Sequence, residues 1–334
     1  MTFLKVFVLR VFVSALNLIL TMKGAENMTG YDVIGDIHGQ ADKLEALLRT
    51  LGYHHTNGAW RHADRMALFC GDLIDRGPES VRTVNIVRSM IDAGTTRCIM
   101  GNHEYNAVCF FTPKPGAPGE FLRKNFSDKN RRQHGAFLRE VGYRTPLHEE
   151  LVEWFKTLPL WLELDEVCLV HACWSERAIA FLTPMMEQPG VLPMELYPDS
   201  ARKGTPVCDA VKELCKGPEL TVAESFLDKD GTARSKARIC WWRENLPGRR
   251  IWTMRDGGTE ALSEVLEPLE QTWPVRKPVF FGHYWLNPDA PKTPKSPLAA
   301  CLDYSAGKGG PLVCYRFDSG DTELVPEKFV AVRE

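Results

Sequence analysis

Three short apolar runs in the first third of the chain each end in a glycine-flanked polar loop and then give way to a helical pattern. "YDVIGDIHG" (31–39) leads into "ADKLEALLRTLG", where Leu44, Leu47, Leu48 and Leu51 recur at helical spacing before Gly52. "RMALFCGDLIDRGP" (65–78) repeats the design ahead of "SVRTVNIVRSMIDAG", whose Val84, Val87, Met90 and Ile91 share one side of a helix. "TRCIMGNHE" (96–104) is the third instance. Strands alternating with helices in this way predict βαβ units and an α/β fold. In such folds ligands gather in the loops at the carboxyl ends of the strands.

Two later apolar runs, "VCLVHACW" (167–174) and "PVFFGHYW" (278–285), read as strands that end in a histidine. "ACLDYSAGKGGPLVCYRF" (300–317) reads as two strands joined by a glycine-rich turn. The strand ends together carry Asp36, His38, Asp72, Asp75, Arg76, Asn102, His103, His171 and His283. Carboxylates, imidazoles and an amide at one sheet edge are a donor set for hard-to-borderline divalent cations. A pair of such ions needs one carboxylate to bridge them. Asp72, from the middle loop, is the natural bridge; Asp36 and His38 reach one ion, and Asn102 with the two later histidines completes the other. Gly35, Gly39, Gly71 and Gly101 flank these residues where sharp turns and close backbone approach are needed.

"GDIHG", "GDLIDRG" and "GNHE" resemble the three signature blocks of the calcineurin-like metallophosphoesterases. The version is similar to the branch holding serine/threonine phosphoprotein phosphatases and bacterial symmetrical diadenosine tetraphosphatases, and the likeness runs over residues 31–317. The resemblance implies a four-layer α/β sandwich, two central mixed β-sheets flanked by helices. It also implies two divalent ions, Mn2+ as first choice with Fe or Zn as alternatives, and in-line attack on phosphorus by a metal-bridging hydroxide. By matching position, Asp36, His38 and Asp72 would hold the first ion, and Asp72, Asn102, His171 and His283 the second. Arg76 would bind the substrate phosphate, and His103, oriented by Asp75, would protonate the leaving oxygen. "CWWREN" (240–245) suggests Arg243 as a second phosphate arginine, with Arg238, Arg249 and Arg255 as competitors. The implied substrate is a phosphorylated protein or small phosphomonoester. The rival reading is a symmetrical bis(5'-nucleosyl)-tetraphosphatase, and a more distant one is a silent metal-binding scaffold. Where relatives carry a glycine after the fourth-block histidine, this chain has Cys173, which would narrow the pocket or sense oxidation.

The rest of the chain bounds the reading. Residues 29–334 are expected to form one domain, with an insertion or lid over the Pro-rich stretch 175–238 that contains the helix "PVCDAVKELCKG". Residues 1–28 form an apolar extension that reads as an upstream start assignment or a signal-like segment. A formal net charge of -2 gives no reason to expect a nucleic-acid or membrane partner, provided residues 1–27 are not a working segment. The basic pairs Arg123-Lys124, Arg131-Arg132 and Arg249-Arg250 read as solvated faces. Ten cysteines without a CxxC pattern fit reduced thiols in a cytoplasmic enzyme. "DKDG" (228–231) reads as a hairpin turn and Glu104 as structural. Trp174, Tyr284 and Trp285 either line the pocket or pack, and His54, His55, His62, His134 and His148 are expected on the surface or on helices.

Overall fold

The computed structural model describes residues 28–124, 127–227, 233–244, 251–255, 258–264 and 271–333. The stretch before residue 28, the 228–231 turn and the Arg249-Arg250 pair lie outside the described residues. Among the described residues no helix is long and apolar enough to cross a membrane.

The chain starts with β1 (Gly30–Ile34), α1 (Ala41–Thr50), β2 (His54–Thr56), β3 (Ala59–Arg61), β4 (Arg65–Phe69), α2 (Ser80–Asp92), β5 (Thr96–Cys98) and α3 (Asn102–Phe111). It continues with α4 (Asp128–Gln133), α5 (Gly135–Val141), α6 (Pro146–Phe155), β6 (Trp161–Glu163), β7 (Cys168–Val170), α7 (Glu176–Leu182), α8 (Tyr197–Ala201) and α9 (Pro206–Lys216). Last come β8 (Glu219–Leu227), β9 (Ala233–Ile239), β10 (Ile251–Met254), β11 (Glu260–Ser263), β12 (Val279–Phe281), β13 (Ala299–Cys301), β14 (Leu312–Asp318) and β15 (Phe329–Val332).

The predicted periodicity decides which faces are buried. Leu44, Leu47 and Leu48 of α1 and Val84, Val87 and Met90 of α2 are fully buried. Between them, β2 and β3 close a hairpin over Asn57-Gly58, both at positive φ (51° and 80°), the backbone a two-residue turn requires.

Two mixed sheets form the centre. The first has the order β15-β14-β1-β4-β5, with β1, β4 and β5 parallel and β14 antiparallel to β1. The second has the order β13-β12-β7-β6, with β7, β12 and β13 parallel. They pack face to face through Phe280 of β12, whose ring centroid lies 5.2 Å from Tyr315 and 6.2 Å from Phe317 on β14. This is the expected pair of mixed sheets. The two strands read from residues 300–317 are both present, yet they lie in different sheets, so the glycine-rich segment between them crosses the sandwich.

The 175–238 stretch divides in two. Helix α9 starts at a Thr205 cap and ends at Gly217. It buries Leu214 and Cys215 completely, and Leu214 O accepts a hydrogen bond from Ala172 N. Strands β8 and β9 instead join β10 and β11 in a separate antiparallel sheet.

A buried ion pair anchors the amino edge of the first sheet. Arg65 Nε donates to Asp32 Oδ1 at 3.0 Å, and its other nitrogens donate to Asp318, Tyr31 O and Phe317 O, joining β4, β1 and β14. Removing one member of a buried pair leaves an uncompensated charge. Arg65→Ala is therefore expected to lower the unfolding free energy by about 3–5 kcal/mol, read from the urea midpoint. Arg316 shares Asp32 but is more exposed; Arg316→Ala should cost about 1 kcal/mol or less.

Candidate metal centre

The site is assembled at the carboxyl ends of five parallel strands. Asp36 and His38 follow β1, Asp72, Asp75 and Arg76 follow β4, and Asn102 and His103 open α3 after β5. His171 follows β7 and His283 follows β12 in the other sheet. All but Arg76 are buried. His38, Asp72, Asp75, Arg76 and His283 hold φ between 52° and 70°, a region ordinary side chains avoid and one that clusters at functional sites.

Asp72 is the hub. Its carboxylate belongs to two groups of potential ligands, one with His38 and His103 and one with His171 and His283. Nε2 of His38 lies 3.6 Å and Nε2 of His171 3.4 Å from Asp72 Oδ2. His171 Nε2 also lies 3.3 Å from Asn102 Oδ1. Asp36 Oδ2 accepts the His283 amide at 3.0 Å, and a Cβ on Gly282 would come within 1.8 Å of Asp36 Oδ1, so only glycine fits there.

Ring orientation and unpartnered buried atoms support a cation site. His38 Nδ1 bonds Ile74 O (2.9 Å) and His171 Nδ1 bonds Cys70 O (2.8 Å), so each ring turns Nε2 toward Asp72. Burial, and then the neighbouring His103, holds His38 down at about 3, which leaves an electron pair on Nε2. Burial disfavours charge on His171 too, but Asp72 overrides it and lifts that ring to about 10. Burial and the facing Asp303 push the Asp36 carboxyl well up. Asp36 Oδ1, His38 Nε2 and His283 Nε2 are buried without a hydrogen-bond partner. Imidazole electron pairs and carboxylate oxygens converging on one buried point need positive charge between them, and this donor set suits divalent cations.

His103 is held from two sides. Its amide donates to Asp72 Oδ1 (2.9 Å) and its Nδ1 to Asp75 Oδ2 (2.6 Å). Burial opposes its charge, yet Asp72 and Asp75 together hold its pKa above the usual value. The other oxygen of Asp75 takes His134 Nδ1 at 2.9 Å. Arg76 lies with its guanidinium carbon 3.6 Å from the Trp285 ring centroid, so Trp285 borders the site while Tyr284 packs in the core against Trp242.

Glu104 secures the loops. Its carboxylate accepts the backbone N–H groups of Asp72 (2.9 Å), Gly101 (3.0 Å), Leu73 (2.8 Å) and Ile74 (3.3 Å). A Cβ on Gly71 would meet Gly101 N at 2.4 Å, so the two loops touch backbone to backbone.

Several residues find partners the sequence did not show. Arg243 Nε donates to Glu260 Oε2 at 2.7 Å, and its guanidinium lies over Trp252. Arg238 also lies near the centre: after burial, its charge helps hold His283 well below its ordinary value. His148 lies on α6, as expected, with its side chain buried, and His134 is buried at the junction of α4 and α5. Lys124 is exposed, as expected, whereas Arg123 is partly buried against a cavity. Cys173 is fully buried, and burial raises its thiol well above the ordinary range, which makes it a packing group rather than a redox sensor. Sequence reading missed Asp303, which accepts Trp285 N and Ser305 N. It lies just beyond a parallel strand, β13, and that strand-end rule was the available signal.

Fold and site together define a two-sheet α/β protein that gathers carboxylates and imidazoles at one strand edge. A family model described as calcineurin-like phosphoesterase matches residues 31–212, and the chain belongs to that family. It is similar to a protein named bis(5'-nucleosyl)-tetraphosphatase PrpE [asymmetrical] from Oceanobacillus iheyensis, 30% identical over 158 residues, 44% of this chain and 58% of that relative. A protein of the same name from Bacillus subtilis is 43% identical over 74 residues, 22% of this chain and 30% of that relative. The matches thus span little more than half of these relatives' length, or less. A solved protein serine/threonine phosphatase from Saccharomyces cerevisiae, described as similar to human phosphatase PP5, aligns over 92% of this chain and 81% of its own at 12% identity, with a TM-score of 0.48.

Each backbone N–H group left unsatisfied in a buried place costs about 1–3 kcal/mol. Glu104→Ala, which strips the acceptor from the Asp72 loop, should therefore lower stability by more than about 3 kcal/mol. Urea unfolding in the presence of chelator measures this without a contribution from metal. Glu104→Gln, which keeps one acceptor oxygen, should lose about half as much.

Proposed function

We propose that the protein is a divalent-metal-dependent phosphoesterase that hydrolyses phosphate monoesters, phosphorylated serine or threonine among them, using one domain over residues 29–334. The observation that carries the reading is Asp72, shared between two ligand groups whose His38 and His283 each keep an Nε2 without a hydrogen-bond partner. Asp36, His38 and Asp72 would hold one ion, and Asp72, Asn102, His171 and His283 the other, with Mn2+ the first choice and Fe or Zn compatible with the same donors. When bound, the cations polarise phosphoryl oxygens and lower the pKa of coordinated water.

The chain's own residues supply the rest. Stacking on Trp285 sets the plane of the Arg76 guanidinium, whose fork donates two parallel hydrogen bonds to phosphate oxygens. The second phosphate-binding role falls to Arg243 or to its competitor Arg238, whose charge is felt at His283. Asp75 fixes Nδ1 of His103, so its Nε2 delivers the proton to the leaving oxygen.

A second reading, cleavage of dinucleoside tetraphosphates, is favoured by the names of the relatives above. Those names give the asymmetrical reaction, whereas the signature blocks suggested the symmetrical one; both use the same centre.

Asp72→Asn should remove Mn2+-dependent hydrolysis of p-nitrophenyl phosphate and weaken Mn2+ binding seen by calorimetry. Full activity in that variant would sink the mechanism. His103→Asn should lower kcat by about 10²–10⁴ for alkyl phosphates and by much less for p-nitrophenyl phosphate, whose leaving group needs no proton.

A further inference from the structure

Asp75 offers its two oxygens to two imidazoles. His103 Nδ1, at the start of α3, donates to Oδ2 at 2.6 Å, and His134 Nδ1 donates to Oδ1 at 2.9 Å. The two rings come from positions 28 and 59 residues along the chain from Asp75. Asp75 itself is buried on a loop that holds it at φ 70°. A carboxylate plane turns easily about its terminal bond, so the partner of one oxygen decides where the other points. With His134 on Oδ1, Oδ2 is left facing His103.

The surroundings of His134 fit this task better than simple space-filling. The ring is buried at the junction of α4 and α5, its centroid 5.3 Å from Phe110 and 5.1 Å from Phe137. Its third ring neighbour is His148, at 6.4 Å, and its Nε2 is buried without a hydrogen-bond partner. A phenyl ring would fill such a place without leaving a nitrogen unsatisfied. An imidazole that breaks the packing rule there is explained by the bond at Nδ1, and such exceptions gather at functional positions. The same segment grips the loop again further on. Glu140 of α5 accepts the amides of Ser80 (2.7 Å) and Val81 (3.0 Å), the first residues of α2. The stretch that carries Asp75 and Arg76 is therefore held at both ends by one piece of chain.

We propose that His134 is a positioning residue for proton delivery: it fixes Asp75, and Asp75 fixes His103 with Nε2 toward the leaving oxygen. The proposal rests on the phosphoesterase reading. In the step itself the His103 Nε2–H bond breaks and an O–H bond forms on the leaving oxygen as its bond to phosphorus breaks. His134 keeps its own Nδ1 proton throughout and acts only through Asp75. Its contribution therefore grows with the basicity of the leaving group.

The test compares the full-length parent with His134→Phe, which keeps a ring and removes the donor, and His134→Asn, whose amide nitrogen can stand in for Nδ1. With Mn2+, His134→Phe should lower kcat for glycerol 2-phosphate by about tenfold to a hundredfold and for p-nitrophenyl phosphate by much less, with little change in either KM. His134→Asn should recover most of the loss. Equal falls on both substrates, no fall on either, or a loss that Asn does not relieve would overturn the proposal. Circular dichroism melting checks folding. Should the Phe variant not fold, His134→Gln takes its place: it sets its donor at the far side of the ring position, and should lose the glycerol phosphate activity that Asn retains. A second measurement does not use turnover. In chelator, the His103 Nδ1 proton, deshielded by its short bond to Asp75 and assigned through His103→Asn, should shift upfield in the Phe variant and stay in place in the Asn variant. An unmoved resonance in His134→Phe would also overturn the proposal. If the parent turns over no phosphate ester at all, the phosphoesterase reading fails, and that resonance still decides whether His134 positions His103.

Discussion

The arrangement of the centre depends on one carboxylate that is not itself among the proposed metal ligands. Glu104 receives four backbone N–H groups, three from the loop after β4 and one from the loop after β5. Without that acceptor, the loop carrying Asp72 at φ 53° would present several buried, unsatisfied amides. Asp72 in turn accepts the His103 amide, so the hub carboxylate and the histidine beside it share one support. Burial and the nearby Asp72 push the Glu104 carboxyl up to about 7. Its four donors are what keep a charge there tolerable.

Much of this was legible in the sequence because the fold is written in local periodicities. The leucines of α1 and the valines of α2 announced their buried faces, and strand-end loops announced the ligand set. The remaining features depend on distant partners. Arg243 has the local setting expected of a phosphate arginine, yet Glu260, seventeen residues on, claims it. Arg238 sits on a strand that looks polar and exposed, on the side opposite the buried Ala237 and Ile239, yet its Nε is buried. His134 reads as a helix-flanking residue, and its burial follows from Asp75, fifty-nine positions earlier in the chain. Arg123 reads as part of a solvated face, because the concavity it joins is completed by α9 and β9.

The strand order also has a consequence for synthesis. β14, near the end of the chain, pairs along the full length of β1, the first strand, in the register Gly30 to Asp318 through Ile34 to Cys314. Until residue 318 has left the ribosome, β1 presents an unpaired edge while the helices around it are already made. His283 and Asp303 also arrive late, so a nascent chain can bury its first βα units without owning a complete centre. A truncation before β14 would leave β1 with an unpaired, aggregation-prone edge.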